Sequence, residues 1–277
     1  MTLHVLHAGD GYSYLTDQVA SQDRERERGQ EMADYYTAHG TPPGLWWGDG
    51  LLALEDERLA GGVAHEALAV NGTVREEQMK ALFGEALHPN ADALIDTMVG
   101  EGMKPAAAIK TARLGRKFPH YNNDIELVKA TEASIESFVA THHRRPKVAE
   151  VRDIEREHGR RLFTTDKGRA PLTERELSSW IAFEKGKVRQ PVAGFDLVFT
   201  PPKSVSTLWA LGDEQTRRTI ERCHHEAVND ALTHLQQEAI FTRSGASGEL
   251  QVDTKGLIVA QFDHYDSRAG DPNFHTH

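Results

Sequence analysis

Three histidines near the end of the chain carry the strongest chemical signal. His275-Thr276-His277 reads as a strand, and a strand sends alternate side chains to one face, so the two imidazoles point the same way. With 15 histidines in the chain, one H-x-H is weak by itself, and position gives it weight. His264 ends an apolar strand, and the Asp266 to Pro272 stretch supplies turn residues. A hairpin folded about Gly270 sets His264 beside His275, where opposed strand residues lie about 4.5–5.5 Å apart. Three converging imidazoles leave coordination positions open, which suits a catalytic divalent metal better than a structural one. Asp196 interrupts the apolar strand Phe195–Phe199. A carboxylate there needs a partner, and can orient a histidine or accept a proton from a hydroxyl.

Two further groups could act on phosphate. Lys203, Ser204 and Ser206 follow Pro201-Pro202 at a strand-to-helix junction, where backbone N–H groups favour phosphate; a plain helix cap explains Ser204 equally well. Tyr12 and Tyr14, then Tyr35 and Tyr36, form two close pairs. A tyrosine hydroxyl that attacks phosphorus conserves the phosphodiester energy in a phosphotyrosine, and two sets permit two such transfers. His224 and His225 read as solvated side chains of a helix.

The elements that must position these groups fall into three regions: 1–50, 51–190 and 191–277. The first holds the tyrosines and is closed by the helix-breaking Gly40 to Gly44 run. The second is helical by pattern, with Met79, Leu82 and Phe83 on one face of one helix and Leu127, Ala130, Ile135 and Phe138 on another. The third alternates strand and helix. Phe195–Phe199 is a strand, Ser204–Leu211 a short helix, and Glu214–Glu238 a long amphipathic helix with a stripe of Ile220, Cys223, Ala227, Ala231, Leu232 and Leu235. Leu257–Phe262 is a buried strand, and a hairpin partner begins at Phe274. The grammar is α+β with an antiparallel hairpin.

Composition narrows the class. The 277 residues suffice for a core without staples, and a lone cysteine, Cys223, excludes a disulfide scaffold and suits a reducing cytoplasm. Neither a signal peptide nor an apolar run of membrane-spanning length is apparent. The net charge of −10 predicts no polyanion partner when taken whole, but it is uneven. Residues 1–100 carry a net −11, 101–190 a net +6 and 191–277 a net −5. A basic middle segment fits either a solvated helical face or a phosphate-facing one.

Taken together, Gly11-Tyr12-Ser13-Tyr14-Leu15-Thr16, Asp34-Tyr35-Tyr36 with Trp47-Gly48-Asp49-Gly50, Phe195 to Ser206, and Phe262-Asp263-His264 ahead of Asp271 to His277 resemble the TrwC/TraI-like (MobF) conjugative relaxases of the HUH endonuclease superfamily. The resemblance implies a palm-like antiparallel sheet with flanking helices. It also implies strand-specific nicking of single-stranded origin-of-transfer DNA and a 5′-phosphotyrosine link, in the cytoplasm. By the same resemblance His264, His275 and His277 hold a divalent metal (Mg, Mn or Zn), with Asp196 beside them. Tyr14 is then the first nucleophile with Tyr12 as competitor, and Tyr35 or Tyr36 is the second. Lys203, Ser204 and Ser206 would meet DNA, and accessory relaxosome and type IV secretion coupling proteins would be partners. Residues 51–190 match a large helical insertion of actinobacterial members, and relatives continue beyond His277, so the chain reads as truncated after the H-x-H motif. Two other readings compete: a non-catalytic DNA-binding module using the basic middle segment, and an unrelated three-histidine metalloenzyme.

Overall fold

A computed structural model of the chain describes residues 1–13, 15, 43–54, 68–118, 125–187, 191–245, 249–267 and 271–277. It is an α+β protein with small antiparallel pairings and many helices. It divides into two compact units, one of residues 1–5, 13–75 and 195–277, the other of residues 6–12 and 76–194. The division falls within two strands, β1 (Thr2–His7) and β3 (Val192–Val198), which pair with each other.

In the strand-bearing unit, β2 (Leu45–Trp47) pairs antiparallel with β6 (Val259–Gln261). A hairpin of β4 (Phe241–Ser244) and β5 (Leu250–Asp253) stands apart from it in pairing. The site is built on β7 (Asp263–Asp266) and β8 (Pro272–Thr276), which pair antiparallel with Asp263 opposite Thr276 and His264 opposite His275. The Leu257–Phe262 strand of the sequence reading is therefore shorter, and His264 lies inside a following strand rather than at its end. The break is at Phe262, which leaves the β2 pairing and exchanges both backbone hydrogen bonds with His277, at 3.0 and 2.9 Å. Its ring packs on Gly44 so closely that a Cβ there would lie 2.3 Å from Phe262 Cε1. Beyond the end of β3, Phe199 exchanges both backbone bonds with Thr276, at 2.8 and 3.0 Å, which ties that strand to β8.

Two helices cover one face of these strands. One is α7 (Lys203–Leu211); the other is α8 (Glu214–Glu238), whose N-cap Asp213 accepts the Thr216 N–H at 2.8 Å. Its buried residues are Val228 and Leu232, while Cys223 and Ala227 are exposed, so the inward stripe is rotated from the one read in the sequence. Trp46, Val74, Phe262 and Phe274 are buried in this unit.

The second unit is helical: α1 (Glu76–Met79) running into a π-helical turn at Lys80–Gly84, α2 (Ala91–Gly100), α3 (Pro105–Thr111), α4 (Glu126–His142), α5 (Val148–Lys167) and α6 (Glu174–Gly186). Leu127, Phe163, Leu177 and Ile181 form the core between α4, α5 and α6. Gly159 lets α6 approach α5, since a Cβ would fall 2.6 Å from Ile181 Cδ1. Among the described residues no helix is long and apolar enough to cross a membrane.

Candidate metal centre

Strand alternation and the β7–β8 register put His264, His275 and His277 on one face, and the pairing of Phe199 with Thr276 brings β3 alongside. The three ligand-capable nitrogens all lie within 4.8 Å of one another. Around one tetrahedral ion they would be roughly 3.4 Å apart, given metal–nitrogen bonds of about 2.0–2.1 Å. Ring centroids are 4.7 Å apart for His264 and His277, 5.0 Å for His275 and His277, and 5.3 Å for His264 and His275.

Each ring is held from outside the cluster. His277 Nδ1 lies 3.1 and 3.2 Å from the two carboxylate oxygens of Asp196, a buried residue. His275 Nδ1 bonds the Asn273 carbonyl at 2.5 Å. His264 bonds the Leu15 backbone, and its buried Nε2 has no hydrogen-bond partner among the described residues. An imidazole held through Nδ1 presents Nε2 to a metal, and this outer shell fixes ring and tautomer. Burial, then the neighbouring imidazoles, pushes His264 down to about 3, and burial lowers His275 as well. Both are neutral near pH 7, the state a ligand needs. An orphaned buried nitrogen and two neutral imidazoles, with His277 beside them, fit a divalent ion with open positions.

The other expected site residues are placed less uniformly. Lys203 is exposed and donates to the Pro272 carbonyl at 2.8 Å, which pins α7 to the start of β8. Ser204 is exposed at the start of α7, whereas Ser206 is completely enclosed, so its hydroxyl does not face solvent. Tyr12 is buried in the helical unit, and burial, then the carboxylates of Asp10 and Glu76, raises its hydroxyl well above the usual tyrosine value. Tyr14, Tyr35 and Tyr36 lie outside the described residues.

His224 and His225 do not simply face solvent, contrary to the sequence reading. His225 Nε2 lies 2.7 Å from Asp263 Oδ2 and His224 Nε2 lies 3.0 Å from Thr276 Oγ1. Burial pushes the Asp263 carboxyl up, but hydrogen bonds from His225 and Thr276 outweigh it and hold it below its ordinary value. The sequence reading assigned nothing to Asp263 and Thr276. The signal for them was the same period of two that groups the histidines, read for the opposite face.

Comparison with known proteins gives a consistent context. The family described as TrwC relaxase matches residues 8–277. Two proteins named multifunctional conjugation protein TraI are similar over 85 residues, 30% of this chain: one from Escherichia coli at 40% identity and one from Escherichia coli strain K12 at 39%. The chain spans about 5% of the length of these relatives. No solved structure matches. Since the family match runs through nearly the whole chain, including every residue of the histidine centre, the chain belongs to the TrwC relaxase family.

Proposed function

We propose that the chain is the nicking part of a conjugative relaxase, cutting one strand of origin-of-transfer DNA by tyrosine transesterification at the histidine centre. The observation that supports this best is the trio of converging imidazoles with Asp196 behind His277, in a chain of the relaxase family. A divalent metal bound there (Mg, Mn or Zn) would draw charge from the non-bridging oxygens of the scissile phosphate. His264, His275 and His277 hold it, and Asp196 orients His277 and strengthens it as a donor.

Tyr14 is the proposed first nucleophile. Its oxygen gives up its proton to solvent and bonds to phosphorus, the bond from phosphorus to the 3′ oxygen breaks and that oxygen takes up a proton, so one end is released as a free 3′ hydroxyl while the other stays on tyrosine through its 5′ phosphate. The enclosed, carboxylate-flanked Tyr12 is poorly suited, because a phenol must lose its proton to attack and its surroundings oppose the anion. Tyr35 or Tyr36 would serve the second transfer. Lys203 and Ser204, exposed beside the strand that carries His275 and His277, are the proposed DNA contacts of this unit. In the helical unit the exposed cations Lys104, Lys110, Arg116 and Lys117 are the proposed phosphate contacts, having no ion pair among the described residues. We place the reaction in the cytoplasm, with accessory relaxosome and type IV secretion coupling proteins as partners.

The test is incubation with labelled single-stranded DNA spanning a candidate origin, with and without divalent metal. A covalent adduct with wild type, lost in Tyr14→Phe and kept in Tyr12→Phe, is the expected result. Binding without any adduct would leave a DNA-binding module, and an adduct kept in Tyr14→Phe but lost in Tyr12→Phe would move the nucleophile.

A further inference from the structure

The strands that carry the histidines have a second face, and it is polar where helices cover it. Asp263 precedes His264 and Thr276 lies between His275 and His277, so both point away from the cluster. They are register partners: Thr276 Oγ1 donates to Asp263 Oδ1 at 2.5 Å. The other carboxylate oxygen takes the bond from His225, and Thr276 Oγ1, having given up its proton, accepts from His224 Nε2. Both histidines belong to α8. Around this chain the face is aromatic: Trp209 stacks on Tyr265 with centroids 5.0 Å apart, Tyr265 on Phe274 at 5.6 Å, and His224 lies 4.6 Å from Phe274.

We propose that the His225–Asp263–Thr276–His224 network is the positioning device of the metal centre, setting the register that brings the three ligands onto one face. The proposal rests on the metal-centre reading above. An all-apolar face would pack as well against these rings, and burying a carboxylate costs free energy that hydrophobic contact does not. What a hydrogen-bonded network adds is direction. Because the side-chain period of a strand is two, a one-residue slip of β7 would turn His264 toward α8 and Asp263 toward the metal. Apolar neighbours such as Tyr265 and Phe274 tolerate sliding, whereas Asp263 meets Thr276 and His225 together in one register only. Asp263, Thr276, His224 and His225 are thus positioning residues that touch no reacting atom.

Cobalt(II) is the probe, added to the full chain as wild type, Asp263→Asn, Thr276→Val, Thr276→Ser and His225→Leu. The readouts are the dissociation constant, by competition with a chromophoric chelator, and the visible absorption spectrum; thermal unfolding in chelator reports folding separately. Asp263→Asn and Thr276→Val should weaken cobalt binding on the order of tenfold and alter the spectrum. Thr276→Ser, which keeps the hydroxyl, should restore both. His225→Leu sits at a half-exposed helix position and serves if the buried variants fail to fold. Folded variants with wild-type affinity and spectrum would overturn the positioning role and leave the metal centre standing. Wild type that binds no cobalt while folded would overturn the metal centre, and this proposal with it.

Discussion

The two units bury polar groups to opposite ends. In the strand-bearing unit the buried imidazoles are each held on one side, so that their remaining nitrogens converge on one point. In the helical unit buried charges close on one another. Arg145, whose side chain is 3% exposed, bonds Glu85 and Asp92 at 2.9 Å each, and the enclosed Lys80 donates to the Pro146 carbonyl near Glu77 and Glu85. Lys185 is likewise held between Asp10 and Glu155. The contrast teaches that a count of charged residues says little about charge available to a partner. The basic middle segment spends Arg144, Arg152, Arg160 and Arg169 on Glu150, Glu76, Glu174 and Glu176.

Breaking the converging half should have the largest effect. His264→Ala removes one of the three proposed ligands and should weaken metal binding by more than the roughly 10–100-fold typical of losing an outer partner. Isothermal titration with zinc would show it, and unchanged affinity would mean that the three imidazoles do not act together.

Breaking the closed half should cost stability and nothing else. Arg145→Ala leaves Glu85 and Asp92 without their shared cation and should destabilise the chain by about 3 kcal/mol, the low end for a buried partner because both carboxylates are partly exposed. Urea unfolding measures this, and metal affinity below the transition should match wild type.

The third prediction sharpens the comparison on the surface. Neutralising Lys104, Lys110, Arg116 and Lys117 together should flatten the salt dependence of single-stranded DNA binding by about 0.7 in logarithmic slope for each phosphate that no longer meets a cation. Neutralising the ion-paired Arg160 and Arg169 should leave the slope unchanged. Equal effects from both sets would show that internal pairing does not withhold charge from DNA.

The site was more legible in the sequence than its setting. The convergence of His264, His275 and His277 could be read because strand alternation and turn residues are local, and local pattern fixes which side chains share a face; Asp196 could be read as needing a partner, but its partner lies 81 residues away. The inward face of α8 was misread because Cys223 and Ala227 are apolar by type, while the sheet beneath offers Asp263 and Thr276 to histidines. Likewise the pairing of Arg145 with Glu85 and Asp92 spans more than fifty residues of chain and leaves no periodic trace.

The smallest expected effect belongs to a helix start. Glu150 reaches back to the Lys147 N–H at 2.7 Å and takes both guanidinium nitrogens of Arg144, whose hydrogen bond, with that of the Lys147 backbone, holds its carboxyl down at about 2. A depressed carboxyl contributes stability that is full above its unfolded value, about 4.5, and fades as pH falls toward 2. Glu150→Gln should therefore cost about 1 kcal/mol at neutral pH, with the gap to wild type narrowing in acid. Paired thermal unfolding curves from pH 7 to pH 2 would reveal a gap that stays constant, if the carboxylate charge is irrelevant.

Phe262 gives one chain position an influence out of proportion to its chemistry. Its amide and carbonyl hold the backbone of His277, a member of the histidine cluster, while its ring lies against the bare backbone of Gly44, more than two hundred residues earlier. A single methyl at position 44 would displace that ring, and the shift would pass through two backbone bonds to the end of the histidine cluster. Variation during descent should then be freer at many charged surface positions than at this silent glycine, and a residue that binds nothing and reacts with nothing would rank among the least replaceable in the chain.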